Sequence, residues 1–140
     1  MTDCVFCSIA ADNSSAYRVC TDANTLAFLD TEPAARGHTL VIPKGHYETI
    51  TDTPEGIVEA VFRTVRRVAA TLESVYEPDG ISIVQSNGTT AGQEVPHAHV
   101  HVIPRYEGDN VTLSWIPEDI SEADQQEIAT RLRNELDSPL

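Results

Sequence analysis

Three histidines at a strict period of two constrain this chain more than any other feature. His97, His99 and His101 alternate with apolar residues in the run Pro96-His-Ala-His-Val-His-Val-Ile103. On a β-strand successive side chains point to opposite faces, so the three imidazoles would share one face and the apolar residues would share the other. A helix would turn successive residues by about 100° and would spread the rings apart. The run therefore predicts a strand over 97–103 with one histidine-lined face.

Two longer segments have the apolar spacing of one-sided helices. The first begins at Thr53-Pro54, interpreted as an N-cap followed by proline at the first helical position, and it ends at 78–80. The second spans about 121–136 and begins with Ser121 and Asp124 in a capping-box-like arrangement. Both helices should pack one face on a sheet. Their apolar positions are Val58, Val61, Phe62, Val65, Val68, Ala69, Leu72 and Tyr76 in the first helix and Ile128, Leu132 and Leu136 in the second.

Four short segments bounded by turn-forming residues are the candidate strands: 25–29, 38–42, 80–85 and 97–103. The first helix falls between the second and third of these strands, and the hairpin-like spacing favours an antiparallel sheet. The expected fold class is α+β, with helices covering the sheet. A chain of 140 residues has room for one domain, so we expect a single domain over 1–140.

The charge balance narrows the function classes. Nine basic residues stand against 22 acidic ones, so the formal net charge is −13. Such a surface disfavours nucleic acid and anionic membranes as partners. There is no apolar run of membrane-spanning length and no secretory signal at the start, so we expect a soluble, cytoplasmic protein. With Lys44 as the one lysine, the acidic excess also suggests a halophilic protein, because high salt screens self-repulsion.

Two chemistries are open for the histidine triplet. Imidazole titrates near neutral pH, so three of them could bind a metal that keeps a position for water. Alternatively, one imidazole could attack an electrophile such as phosphorus and become covalently loaded. Asn87-Gly88 and Ala91-Gly92-Gln93 precede the triplet. Backbone N–H groups of such glycine-containing turns can surround phosphate oxygens, which favours phosphorus chemistry.

The cysteines point to a second site. Cys4 and Cys7 form a C-x-x-C pair, and zinc prefers four tetrahedral sulfur and nitrogen ligands, which His46 and His97 could complete. The spacing excludes a C₂H₂ finger, whereas a redox pair or two unligated cysteines remain alternatives. The odd count of three cysteines makes a disulfide framework unexpected. The third, Cys20, is expected to be a small buried hydrophobic residue.

The run from His97 to Ile103 resembles the H-φ-H-φ-H-φ-φ signature of the histidine triad (HIT) family of nucleotide hydrolases and transferases. Four other segments fit the same family, and the resemblance is closest to its Hint-like branch and prokaryotic relatives. These segments are Phe28-Leu29-Asp30, Gly37-His-Thr-Leu-Val-Ile-Pro-Lys44, Gly92-Gln93 and Pro104-Arg105.

The resemblance implies a fold and a reaction. The fold would be an antiparallel five-stranded sheet with two main helices, paired as a homodimer. The reaction would be cleavage at the α-phosphate of a purine (AMP-type) nucleoside phosphoramidate, adenylate or dinucleoside polyphosphate through a nucleotidyl-histidine intermediate. The alternatives are a non-catalytic nucleotide-binding or scaffold protein on the same fold, and a metal-dependent hydrolase that uses the three triad histidines as ligands.

The resemblance also implies residue roles. The middle histidine, His99, matches the nucleophile, His101 and His38 match phosphate contacts, and Gln93 matches a residue near the leaving group. Glu94 stands where the Hint-like branch often has serine or threonine. The resemblance further implies a structural zinc held by Cys4, Cys7, His46 and His97. The nucleotide-binding set would comprise Phe6, Ile9, Phe28, Leu29, Asp30, Asn87, Gly92, Gln93, His99 and His101.

Overall fold

This computed structural model describes residues 4–112 and 115–136 of the chain. These residues contain three α-helices and five β-strands. Two 3₁₀ turns, Ile50–Asp52 and Thr89–Ala91, lie in the connections. The helices are α1 (Val5–Ala10), α2 (Glu55–Tyr76) and α3 (Glu122–Leu136), and the strands are β1 (Arg18–Thr21), β2 (Thr25–Leu29), β3 (Thr39–Pro43), β4 (Gly80–Val84) and β5 (Val100–Arg105).

The five strands form one sheet in the order β1-β2-β3-β5-β4, and every neighbouring pair is antiparallel. This arrangement confirms the predicted α+β class with a five-stranded antiparallel sheet. The prediction for β2 is correct at both ends, β3 lies one residue later than predicted, and β4 ends one residue earlier. Helix α2 carries the chain from β3 in the sheet interior to β4 at its edge.

The two faces of the sheet contribute to two different hydrophobic cores, because side chains alternate between the faces along each strand. Val41, Val100 and Val102 belong to the larger core, which α2 and α3 cover. On the opposite face Leu40 and Ile42 pack with Phe6 and Ile9 of α1. The register pairs Leu40 with His101, which places that imidazole on the α1 face.

The helix ends agree only in part with the predicted caps. Pro54, and not Thr53, is the N-cap of α2, and the hydroxyl group of Thr53 donates to the carbonyl oxygen of Thr49. The predicted cap of α3 is confirmed, because the Ser121 hydroxyl oxygen accepts a hydrogen bond from the backbone N–H of Asp124 at 3.1 Å. Among the described residues, no helix combines the length and the apolar character that crossing a bilayer requires.

The histidine segment differs from its prediction. Strand β5 begins at Val100, so His97 and His99 lie before the ladder and the predicted strand over 97–103 is wrong at its start. Instead, the backbone N–H of His97 donates to Val95 and that of Ala98 to Tyr47. The three imidazoles nevertheless lie on one face: the Phe6 ring of α1 meets the rings of His97 and His99 edge-on, and His101 is on the same face.

Two short elements had no prediction. Strand β1 spans four residues and helix α1 spans six, and such lengths are too short to show a clear apolar period. Cys20 lies in β1 and is partly buried against the larger core, so it is less buried than expected. Helix α1 contains most of the C-x-x-C segment, with Cys4 as its N-cap.

Position 37 requires glycine because of its backbone conformation and its close packing against a helix. Gly37 has φ 86°, and a Cβ there would come within 2.8 Å of Leu72 Cδ2 on α2. Only glycine adopts this region without strain while passing so close to a helix. The loop therefore packs tightly on α2 and sets the position of His38, the next residue.

Candidate active site and candidate metal centre

A cavity of about 570 Å³ opens on the α1 face of the sheet. Its apolar wall includes Phe6 and Ile9 of α1 and Phe28 of β2, while Asp30, His99 and His101 border it as polar groups. All the residues expected to bind nucleotide border this cavity except Asn87 and Gln93. The fold thus brings together residues from four separate segments of the chain.

The protonation of His99 follows from its backbone contact. Its Nδ1 lies 2.8 Å from the carbonyl oxygen of His97, and since a carbonyl can only accept, Nδ1 carries the proton. The lone pair is therefore on Nε2. The ring is 8% exposed and meets Phe6 edge-on at 5.2 Å between centroids. Burial lowers the pKa of His99, although the hydrogen bond to His97 and the carboxylate of Glu94 act in the opposite direction.

The protonated nitrogens of His38 and His101 also follow from their hydrogen-bond partners. The backbone N–H of Ala34 donates to His38 Nδ1 at 2.9 Å, so the proton of His38 is on Nε2. That Nε2 lies 2.9 Å from His101 Nδ1 and donates to it, which leaves the proton of His101 on Nε2. Burial lowers the pKa of His38 to about 3 and that of His101 to about 4. Both rings are therefore neutral near pH 7, and His101 has an N–H group to offer a ligand.

Asp30 lies beside this pair at the end of β2. Its Oδ2 is 3.5 Å from His38 Nε2 and 3.7 Å from His101 Nδ1, and its Oδ1 accepts from the backbone N–H of Glu32. Burial raises the pKa of Asp30 from 3.8 to about 6, and the carboxylates of Glu32 and Glu94 add to the increase. The backbone carbonyl of Asp30 accepts a hydrogen bond from the Gln125 side chain, so α3 helps to hold this corner of the cavity.

The two amide residues expected to bind nucleotide, Asn87 and Gln93, do not border the cavity, and their side chains hydrogen-bond to backbone groups of the protein. Gln93 accepts from the backbone N–H of Gly88 at 2.7 Å and donates to the carbonyl oxygens of Glu48 and Val95. The side-chain oxygen of Asn87 accepts from the backbone N–H of Ile50 at 2.7 Å. These contacts fix the loop that carries Gly92 and Glu94 to the cavity border.

The four predicted metal ligands do converge. The ligand atoms of Cys4, Cys7, His46 and His97 all lie within 4.8 Å of one another. His97 Nδ1 is 3.4 Å from the sulfur of Cys4 and 3.5 Å from that of Cys7, and His46 Nδ1 is 3.1 Å from the sulfur of Cys7. Tetrahedral zinc with its usual bond lengths requires sulfur–nitrogen separations of about 3.5 Å.

The orientation of His97 also suits a metal. Its Nε2 lies 2.9 Å from the carbonyl oxygen of Pro43 and donates to it, which leaves the lone pair on Nδ1, toward the two sulfurs. The second group of possible ligands in the described ranges, Asp30, His38 and His101, is held by the histidine–histidine hydrogen bond. His97 and His101 belong to different groups and His99 to neither, so the triad does not converge on one metal.

Two cavity residues, Trp115 and Glu32, were not predicted from any sequence pattern. The indole ring lies 5.2 Å from the rings of both His38 and His101, and its N–H donates to the carbonyl oxygen of Glu32. Trp115 is the one tryptophan of the chain, which is a compositional signal. Its surroundings have no helical or strand periodicity, however, so nothing in the sequence placed it at this site.

Comparisons with known proteins agree with this geometry. Residues 12–108 match the HIT domain, and the chain belongs to the HIT family. It is 36% identical over 139 residues to the protein named hit of Bacillus subtilis, with 97% of this chain and 96% of the relative covered. It is 38% identical over 107 residues to adenylylsulfatase HINT3 of Arabidopsis thaliana, covering 76% of this chain and 54% of that protein.

A solved structure is similarly close. The crystal structure of a Zn-bound histidine triad family protein from Mycobacterium smegmatis superposes with a TM-score of 0.84 at 38% identity, covering 96% of this chain and 93% of that one. Fold and family predictions are therefore confirmed: the chain has the HIT fold and belongs to the HIT family.

Proposed function

We propose that the protein is a nucleotide hydrolase or nucleotidyltransferase that cleaves at the α-phosphate through a covalent bond to His99. One observation carries this proposal: the proton of His99 is held on Nδ1 by the His97 carbonyl, so that Nε2 of a ring bordering the cavity carries a lone pair. A neutral imidazole in this state is a competent nucleophile. The likeness to an adenylylsulfatase supports an adenylyl group as the transferred unit.

The cavity has a part suited to each portion of a mononucleotide. The apolar wall of Phe6, Ile9 and Phe28 suits a purine base, and the carboxyl group of Asp30 suits the ribose hydroxyls. The Nε2–H of His101 can donate to a phosphate oxygen, and His38 positions it from behind. The Nε2–H of His101 would take the place of the cation that usually stabilises a phosphoryl group, since no lysine or arginine borders the cavity among the described residues.

The reaction would proceed in two displacements. The lone pair of His99 Nε2 forms a bond to the α-phosphorus, and the bond from phosphorus to the leaving group breaks. The leaving group departs with that electron pair and takes a proton from solvent. Water then attacks the phosphorus, the bond to Nε2 breaks and returns its electron pair to the imidazole, and the proton of the water is released. Nucleoside monophosphate is the product, and a phosphate acceptor in place of water would give transfer.

Mass spectrometry of the quenched reaction tests the proposal. Wild-type protein mixed with adenosine 5′-phosphoramidate should gain the mass of an adenylyl group on a peptide that contains His99. The variant His99→Ala should show neither adduct nor turnover, while equilibrium dialysis still detects AMP binding. Binding of AMP by the wild-type protein without adduct or turnover would instead establish the non-catalytic alternative.

We also propose that Cys4, Cys7, His46 and His97 hold a structural Zn²⁺. The separations of their ligand atoms and the orientation of His97 fit tetrahedral zinc, and a similar HIT protein is Zn-bound. When bound, zinc would join the N-terminal segment to the loop before β5 and would stabilise the fold. With four protein ligands it would have no open position for substrate, so the reaction does not pass through it.

The quaternary state is a further part of the proposal. Strand β4 lies at one edge of the sheet and has one strand neighbour in the described part of the chain. Its residue Ile83 is 50% exposed, and Phe62 on α2 is 40% exposed. An exposed apolar side chain on an edge strand, such as Ile83 on β4, favours pairing with another copy, which supports the homodimer that the resemblance implies.

A further inference from the structure

The cavity border is acidic to a degree that a phosphate-binding site does not need. The carboxyl groups of Asp30, Glu32 and Glu94 border it, and in the described ranges no lysine or arginine does. A substrate α-phosphate is itself an anion, so each ionised carboxylate opposes its binding. Asp30 faces the ribose hydroxyls in the proposed binding mode, and a positive charge on the substrate would offset the repulsion from the remaining carboxylates.

Glu94 is the carboxylate whose position fits that charge best. Glu32 follows Asp30 at the end of β2, where its backbone N–H holds the Asp30 carboxyl group. Glu94 lies in the loop before His97 and borders the cavity between Gly92 and Val95. Its side chain is exposed, and its carboxylate acts electrostatically on both Asp30 and His99.

The loop that carries Glu94 is held rigidly. The neighbouring Gln93 side chain is 7% exposed and makes three hydrogen bonds, to Gly88, Glu48 and Val95. These hydrogen bonds position the backbone of Glu94, whereas its exposed side chain can change conformation to contact a ligand. With the base against α1 and the ribose at Asp30, the part of the cavity beside Glu94 is left for the leaving group.

We propose that Glu94 makes the enzyme selective for nucleoside phosphoramidates and adenylates whose leaving group carries a cationic amine. This inference rests on the proposed function, since it concerns the leaving group of that reaction. The bond from phosphorus to the leaving group breaks and the electron pair leaves with that group, which takes a proton from solvent. The remote ammonium group is unchanged in the reaction and contacts the Glu94 carboxylate. Anionic leaving groups such as sulfate or pyrophosphate are disfavoured by the same carboxylate.

Three substrates with one scissile phosphorus–nitrogen bond test this selectivity. Adenosine 5′-phosphoramidates of 1,3-diaminopropane, butylamine and β-alanine have cationic, neutral and anionic leaving groups of similar length, and adenosine 5′-phosphosulfate extends the anionic arm. The readout is the ratio of kcat/KM for the cationic substrate to that for the anionic one. The ratio is measured in the wild-type protein, in Glu94→Gln and Glu94→Lys, and in the matched charge control Glu59→Gln, which changes an exposed residue of α2.

The wild-type protein should prefer the cationic substrate. Loss of one exposed ion pair in Glu94→Gln should lower the ratio by about fivefold, which corresponds to about 1 kcal/mol. Glu94→Lys should reverse the preference, Glu59→Gln should keep the wild-type ratio, and added salt should reduce the ratio in the wild-type protein. Adducts on His99 with a ratio that is the same in wild-type and both Glu94 variants would overturn this inference and leave the proposed function intact. Absence of turnover and adduct with every substrate would overturn the proposed function and the inference with it.

Discussion

Replacing Asp30 by asparagine should stabilise the free protein at neutral pH, and more so as the pH rises. Burial raises the pKa of Asp30 from 3.8 to about 6. A carboxyl group with a raised pKa in the folded state favours folding when it is protonated. Its contribution is therefore complete below pH 3.8 and is lost as the pH rises toward 6. The difference of about 2.2 pKa units corresponds to about 3 kcal/mol, of which about 1 kcal/mol is lost between pH 5 and pH 8.

Urea unfolding at pH 5 and pH 8 and fixed ionic strength measures this effect. The gain in unfolding free energy of Asp30→Asn over wild type should be larger at pH 8 by about 1 kcal/mol. Both proteins share all other titrating groups, so the difference reports Asp30 together with its electrostatic coupling to neighbours such as Glu32 and Glu94.

Asp22→Asn is the matched control. Although burial raises the pKa of Asp22, hydrogen bonds from the backbone N–H groups of Asn24 and Thr25 lower it overall. This substitution should therefore destabilise the protein at both pH values. A gain for Asp30→Asn that is equal at the two pH values, or larger at pH 5, would refute the argument from burial.

Three further substitutions test separate parts of the structure. Cys7→Ser should reduce bound zinc, measured by elemental analysis, from about one equivalent to less than a tenth and should lower Tm; full zinc content in the variant would contradict the proposed ligand set. His38→Leu removes the donor to His101 and should lower kcat by 10- to 100-fold with little change in KM. His38→Gln, which keeps a donor, should recover part of that rate, whereas equal rates in the two variants would count against a positioning role. Ile83→Lys should shift the protein from dimer to monomer in sedimentation equilibrium, and an unchanged mass would argue against pairing through β4.

Local patterns predicted much of the fold. Strand β2 and helix α3 have the predicted bounds to within one residue, because their apolar periods and turn-forming neighbours are sequence-local. Helix α1 and strand β1 were missed because they are too short to show a period. The predicted start of β5 was also wrong, because an alternating pattern does not reveal where the chain gains a ladder partner, and the ladder begins only at Val100.

The parts of the site that belong to a recognisable sequence motif were predictable. The C-x-x-C pair and the histidines at 46 and 97 were expected to meet, and their ligand atoms do lie together. The hydrogen-bond partners of Gln93 and the cavity position of Trp115 were not predictable, because they depend on distant backbone groups and on a loop without periodicity. The high-salt hypothesis stays a prediction, since net charge alone does not specify the medium.

Local sequence patterns establish which functional groups are available: a period-two histidine run, two cysteines one helical turn apart, and strands with two distinct faces. These properties follow from which residue types recur at which spacing. The protonated nitrogen of each imidazole follows from the folded structure, because it depends on whether a carbonyl oxygen or an N–H group from elsewhere in the chain faces it. The same long-range packing set the low pKa of His101, the raised pKa of Asp30 and the acidic border at Glu94.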